Sequence, residues 1–101
     1  MTEVKYETIA DEPAAFNLYL DGDKIGEMIV ETQGTDITVF HTEVDEDKEG
    51  KGYAGEILAA LVADARKEKL KVVPMCAYVR AQFDRHPDEY KDIRSERPAK
   101  F

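Results

Sequence analysis

Polar and apolar residues alternate with a period of two in the first half of the chain, and the period changes in the second half. Val4 to Thr8 alternates briefly and predicts a short edge strand, ended by Asp11-Glu12-Pro13. Phe16, Leu18 and Leu20 alternate with Asn17 and Tyr19, the pattern of a strand with one buried face. Asp21-Gly22 follows; both turn positions tolerate positive φ, so a hairpin is expected, with Lys24 to Glu31 as its return strand. Gln33-Gly34 marks the next turn, and Asp36 to Val44 reads as a long strand rich in β-branched residues. Strict alternation places Ile37, Val39, His41 and Glu43 on one face of that strand. Thr38, Phe40, Thr42 and Val44 fall on the other. Apolar residues on both faces predict a central strand covered on each side.

Asp45 to Gly52 is charged and contains glycine, which predicts a loop. From Tyr53 the period is helical: Ala54, Ile57, Leu58, Leu61, Val62 and Ala65 form one apolar stripe, and the helix is expected to run to Lys69. Arg66, Lys67 and Lys69 gather at its C-terminal end, where cations suit the helix dipole. Leu70 to Met75 reads as a buried strand cut by Pro74, which cannot donate to a ladder and so predicts a place where this strand leaves its neighbour. Ala77 to Arg85 is expected to be helical and His86-Pro87 to stop it. Asp88 to Ile93 adds a short turn, and 94–101 reads as a flexible tail behind a single domain over 1–93. The order is a strand meander followed by strand, helix, strand, helix. That is an α/β chain with a mixed sheet, in which Asp36–Val44 and Leu70–Met75 form a parallel pair with a right-handed crossover. Ligands of such sheets bind in the crevice at the carboxyl ends of the parallel strands, where the glycine-containing loop lies.

The 101 residues suit one small domain and no large enclosed cavity. Lys and Arg number 14 against 22 Asp and Glu, a net charge of −8. That balance argues against a nucleic-acid or anionic-membrane binder and leaves room for a cationic substrate. Met1 to Ala10 has no signal-like pattern, and the longest apolar run, Ile57 to Ala63, is too short to span a bilayer. The single Cys76 cannot form an internal disulfide, so a reducing cytoplasm is expected. His41, His86 and Cys76 show no zinc spacing, and no metal is expected. A monomer or weak dimer is expected.

Glu49-Gly50-Lys51-Gly52-Tyr53-Ala54-Gly55 opens the helix with the clearest stripe. A first helical turn has unpaired N–H groups and a partial positive charge, and glycines let those amides approach an anion. Lys48 and Lys51 add local cations to an acidic chain. The spacing is not that of a Walker loop, and the glycines alone also fit a plain turn. Placed after a strand ending His41-Thr42-Glu43-Val44, the loop resembles that of the GNAT superfamily of acetyl-CoA-dependent N-acetyltransferases, Gln/Arg-x-x-Gly-x-Gly/Ala, with Glu49, Gly52 and Ala54 at the first, fourth and sixth positions. Val72-Val73-Pro74-Met75-Cys76, with Phe83, His86-Pro87 and Tyr90, resembles a minimal single-domain subfamily.

The resemblance implies a GNAT-type fold whose two parallel strands splay apart, with acetyl-CoA in the notch. Its pantetheine arm would pair with backbone near Glu43-Val44 and its pyrophosphate with the amides of Gly50 to Gly55, so Val44, Glu49, Gly50, Lys51, Gly52, Tyr53, Ala54 and Gly55 are the expected cofactor-binding residues. The reaction implied is acetyl transfer to a primary amine. Three features depart from the family. Glu49 stands where Gln or Arg is usual, only a few residues around Pro13 replace the helices that help form the acceptor site of larger members, and Asp84 replaces a common tyrosine acid. A non-catalytic acyl-CoA-binding or protein-interaction module on the same fold is the alternative. Transfer from a thioester needs a neutral amine, a polarised carbonyl and a proton for the thiolate. His41 and Glu43 are candidates to relay the amine's proton, or else a satisfied core histidine and a solvated charge. Cys76 is the candidate nucleophile or acid, or else a small buried hydrophobe. His86 reads as structural, a helix cap or a ring stacked near Cys76; Tyr78 and Tyr90 are able to supply a hydroxyl, but packing is the favoured reading.

Overall fold

Two tight turns fold the first half into a meander. In the structure, a computed structural model that describes residues 1–95, β1 (Thr2–Glu7), β2 (Ala14–Leu20), β3 (Asp23–Gln33) and β4 (Asp36–Val44) pair antiparallel in sequence order. Asp21 and Gly22 both take positive φ, 51° and 91°, in a two-residue hairpin loop whose twist matches that of the strands. α1 (Tyr53–Glu68) then crosses over, and β5 (Lys71–Pro74) joins β4 in parallel at the end of a five-stranded sheet. α2 (Ala77–Arg85) and α3 (Pro87–Tyr90) follow. The expected mixed sheet, its parallel pair and its order are all present.

The faces of β4 differ from strict alternation. Val30 pairs with Val39 and Ile29 with His41, so Phe40 is an extra residue, a β-bulge. One extra residue inverts every side chain beyond it. Ile37 and Val39 are buried, whereas the side chains of His41 and Glu43 are 61% and 68% exposed on the opposite face. Thr42 and Val44 instead continue the half-buried helix-facing row. The two apolar faces expected of β4 are therefore one face, offset by the bulge, and the strand is not covered on both sides.

α1 buries its stripe of Ile57, Leu58, Leu61, Val62 and Ala65 against the sheet, in one core with Leu18, Met28, Val72, Val79 and Phe83. Gly26 lets the helix approach. A Cβ there would lie 3.1 Å from the Glu43 carbonyl oxygen, 3.2 Å from Ile57 Cδ1 and 3.3 Å from Val44 Cγ2. Gly26→Ala is expected to cost about 1–3 kcal/mol, read as a lower urea midpoint, because backbone and packed side chains must shift together.

The helix ends at Glu68, one residue short of expectation, and is capped by Lys69, left-handed at φ 57°. Its last turn is tied to the chain after α3: Arg66 Nε and Nη2 donate to the Asp92 carboxylate at 3.0 and 3.2 Å. That hydrogen bond holds the Asp92 carboxyl below its usual range. A depressed carboxyl pKa stabilises the fold above the unfolded value, near 3.9, and this contribution is lost as pH falls through the folded value. Asp92→Asn should therefore flatten the acid limb of the urea midpoint against pH, while neutral and alkaline shapes stay alike.

β5 is flanked on its outer side by Ile93 to Ser95. Val72 N–H donates to the Ile93 carbonyl and Ser95 N–H to that of Val72. Arg94 also pairs with Asp84 at 2.7 Å. Where the expected tail begins, Ser95 is thus hydrogen-bonded to β5, and Arg94 to the Tyr90 carbonyl and to Asp84; residues 96–101 lie outside the described residues.

Candidate functional site

The site is made by the parting of two strands. β4 and β5 pair from Asp36 and Lys71 as far as Val39 and Pro74. Pro74 is the last residue of β5, in keeping with its missing donor. The N–H groups of Met75 and Cys76 both turn to the Val39 carbonyl, at 3.0 and 2.9 Å, and the chain swings into α2. β4 continues alone to Val44. Asp45 N–H donates to the Ile25 carbonyl on the β3 side. By antiparallel alternation, the N–H and C=O of Thr42 and Val44 then point away from β3, into the gap left by β5.

The gap opens onto the N-terminus of α1. Gly50 and Gly52 are left-handed at φ 79° and 82°, and a Cβ at either would meet nothing within 4 Å. Gly52 caps the helix with no side-chain bond to its first amides. The first backbone bond closing the helix comes from Glu56, so the N–H groups of Tyr53, Ala54 and Gly55 are left without helical partners. These features enclose a pocket of about 340 Å³. Thr42 and Val44 line one wall, Glu49, Gly50 and Gly52 to Gly55 another, and Tyr78 of α2 closes the third. The arrangement fits an elongated anionic ligand, with free amides and helix dipole at one end and unpaired strand groups at the other.

Electrostatics modify the expectation for the two lysines. Lys48 lines the pocket, but its ammonium donates to Asp47 at 3.0 Å. That bond pushes the Lys48 pKa up and holds the Asp47 carboxyl down. Lys51 is exposed and lies outside the pocket wall. The positive character of the pocket therefore comes chiefly from backbone amides.

Cys76 sits where the strands part, 6% exposed, and its Sγ donates to Thr42 Oγ1 at 3.2 Å. Because Thr42 lines the pocket, the thiol is one side chain away from it. His41 and Glu43 stand near each other, Nε2 to Oε2 3.7 Å, on the other face of β4. The structure thus gathers the loop residues other than Lys51, with Val44 and, through Thr42, Cys76, but places His41 and Glu43 across the strand from them.

Tyr78 is the wall residue that sequence reasoning set aside as packing. Its hydroxyl lies 3.9 Å from where a Cβ on Gly55 would stand, so the two helices meet over the pocket through a tyrosine and a glycine. Burial pushes its pKa up, and the group stays protonated at neutral pH. Its only sequence signal is its place in the first turn of the helix that follows Cys76. Tyr90 stacks on Phe83, with ring centroids 4.7 Å apart, and His86 joins α2 to α3. Among the described residues, no group of three or more metal-ligating side chains gathers, and no helix is long and apolar enough to cross a membrane.

Comparison with known proteins gives one family. Residues 15–93 match the family model described as GCN5-related N-acetyl-transferase. No curated protein matches the chain. Among solved structures, the ribosomal-protein-S18-alanine N-acetyltransferase from Escherichia coli superposes with a TM-score of 0.70 at 14% identity, over 84% of this chain and 76% of that one. A GCN5-like protein from Staphylococcus aureus gives 0.66 at 21% identity, over 95% and 90%. A GNAT family acetyltransferase from Elizabethkingia anophelis with acetyl-CoA bound gives 0.66 at 11% identity, over 87% and 74%. At these identities the likeness is one of fold.

Proposed function

Since the chain belongs to the GCN5-related N-acetyltransferase family, we propose that it binds acetyl-CoA in the gap between β4 and β5 and transfers the acetyl group to a primary amine. The observation that carries this reading is the strand separation after Val39 and Pro74, which opens onto the uncapped first turn of α1. The amides of Gly50 to Gly55 take the pyrophosphate, and the outward N–H and C=O of Thr42 and Val44 take the amide-bearing pantetheine arm. The thioester then lies at the apex of the gap, beside Cys76.

Cys76 is the proposed nucleophile. Its sulfur attacks the thioester carbonyl, a new carbon–sulfur bond forms as the bond to coenzyme A breaks, and the thiol proton passes to the departing thiolate. The amine then attacks acetyl-Cys76, forming the amide and returning the thiol. The Tyr78 hydroxyl is a proton donor on the pocket wall, and the proton lost by the amine is relayed through water to His41, on the other face of β4 with Glu43 beside it. The test is turnover of acetyl-CoA, followed as free thiol, against a panel of primary amines. Amine-dependent thiol release supports the reading. Tight acetyl-CoA binding without turnover on any amine contradicts the transferase and leaves an acyl-CoA-binding module.

A further inference from the structure

The sheet has one covered edge and one open edge. Ile93 and Ser95 hydrogen-bond to the outer side of β5, whereas among the described residues no strand lies beyond β1. Asp21 N–H donates to the Met1 carbonyl, so in the antiparallel register of β1 and β2 the residues Glu3, Lys5 and Glu7 turn their N–H and C=O toward β2. Those of Thr2, Val4 and Tyr6 point outward. Side chains alternate in step. Val4 packs on the helix-side core, and Tyr6 meets the Phe16 ring edge-on at 5.2 Å. Glu3 and Lys5 lie on the other face, Nζ to Oε1 3.9 Å. Tyr6 is 51% exposed, and Met1 and Ile9, exposed as well, flank the same strand. An open edge that carries exposed apolar side chains is a template for another strand.

We propose that β1 pairs antiparallel with β1 of a second copy of this chain, with Val4 opposite the partner's Val4, in a two-fold dimer that has one continuous sheet. Hydrogen-bond parity and charge select the partner and the register. Outward groups must face outward groups, so the two-fold axis passes through a residue pair and not between residues. Centred on Val4, the pairing sets Thr2 opposite the partner's Tyr6, and every outward N–H and C=O of the strand finds a partner, about six bonds in all. The same register sets Glu3 opposite the partner's Lys5, and by symmetry Lys5 opposite the partner's Glu3. On the helix side the two Val4 side chains meet, and Tyr6 covers the partner's Thr2, which extends the apolar row of each core. Other registers are worse. Centring on Glu3 or on Lys5 brings like charges together at the axis, and parallel in-register pairing sets every charge beside its own copy. Centring on Tyr6 runs past the end of β1 and makes fewer bonds. It also draws on Glu7, whose carboxylate already accepts from Asn17 and Tyr19. A lysine on an edge strand guards against indiscriminate pairing; here it also fixes the one register in which it is matched. β1 is the edge of the sheet remote from the gap between β4 and β5, so both gaps stay open in the dimer.

Sedimentation equilibrium and backbone amide spectra of the whole protein, from about 10 µM to about 1 mM, test the pairing, since so short an interface holds weakly. The protein should be monomeric at the lower end and largely dimeric at the upper. Concentration-dependent shifts should fall at Thr2, Val4 and Tyr6, with little change at Gly50 to Gly55. Glu3→Lys and Lys5→Glu, each alone, set like charges opposite one another at both ion pairs and should weaken association about tenfold or more. Mixed in equal amounts, the two variants should form a heterodimer, because one strand is then cationic and the other anionic at both positions. Glu3→Lys/Lys5→Glu in one chain should restore the homodimer. Both positions are exposed, and the same spectra show whether each variant is folded. Glu3→Gln/Lys5→Gln, which adds no repulsion to strain the fold, should weaken association by a smaller factor, about threefold. A monomer at millimolar concentration, a dimer whose shifts lie away from β1, a dimer indifferent to the charge variants, or a mixture of the two single variants that stays monomeric would each overturn the proposal.

Discussion

Cys76→Ala is expected to lower amine acetylation about a hundredfold or more while leaving the fold and the affinity for acetyl-CoA nearly intact. The catalytic expectation follows from the proposed covalent step, since removing a nucleophile takes away the interaction that only the reacting state uses. The structural expectation follows from burial. The thiol is 6% exposed and makes one hydrogen bond, to Thr42. Its removal leaves a small void costing about 1 kcal/mol, too little to unfold the domain. Cys76→Ser separates the roles further, because a hydroxyl keeps a partner for Thr42 but is a far weaker nucleophile than a thiol. Intact mass after incubation with acetyl-CoA alone should show one acetyl group on the wild type and none on either variant. Turnover that survives in Cys76→Ala, with no acetyl adduct on the wild type, would show that the amine attacks acetyl-CoA directly.

Gly55→Glu should move stability and binding in opposite directions. Gly55 lies in the first turn of α1, and a Cβ there would meet only the Tyr78 hydroxyl, at an ordinary 3.9 Å. Replacing a helical glycine gains about 0.5–1 kcal/mol from backbone entropy, and a carboxylate near the helix N-terminus interacts favourably with the dipole. The melting temperature should therefore rise slightly. The same carboxylate would stand on the wall where the pyrophosphate is seated, in front of the amides that attract it. Acetyl-CoA affinity should fall about a hundredfold, the scale of a like charge at close range in a partly desolvated pocket. Calorimetric titration and a thermal melt on one sample read both effects. A variant that melts lower and binds normally contradicts this placement of the phosphates.

Local signals explain what the sequence shows of this site and what it hides. Asp36–Val44, the start of α1 at Tyr53 and Ala77–Arg85 are legible to the residue, because each is bounded by its own turn or breaker. The parting of the strands was legible from Pro74 alone. The bulge at Phe40 was not. Nothing in Thr38-Val39-Phe40-His41 marks an extra residue, which exists only in the pairing with Ile29 and Val30. That single offset reverses the faces of His41 and Thr42 and turns two imagined apolar faces into one. Tyr78 was hidden for a similar reason: its neighbour across the pocket, Gly55, is brought to it by the packing of two helices. The charge of Lys48 was visible, but its hydrogen bond to the adjacent Asp47 was not.

Acetyl-CoA as ligand of the gap between β4 and β5 is tested most directly by a titration followed at every backbone amide. The predicted result is a saturating shift at Thr42, Val44 and Gly50 to Gly55, with a smaller change at Cys76 and Tyr78 and little along β1. No shift at millimolar acetyl-CoA, or saturating shifts that leave these residues unmoved, would contradict it.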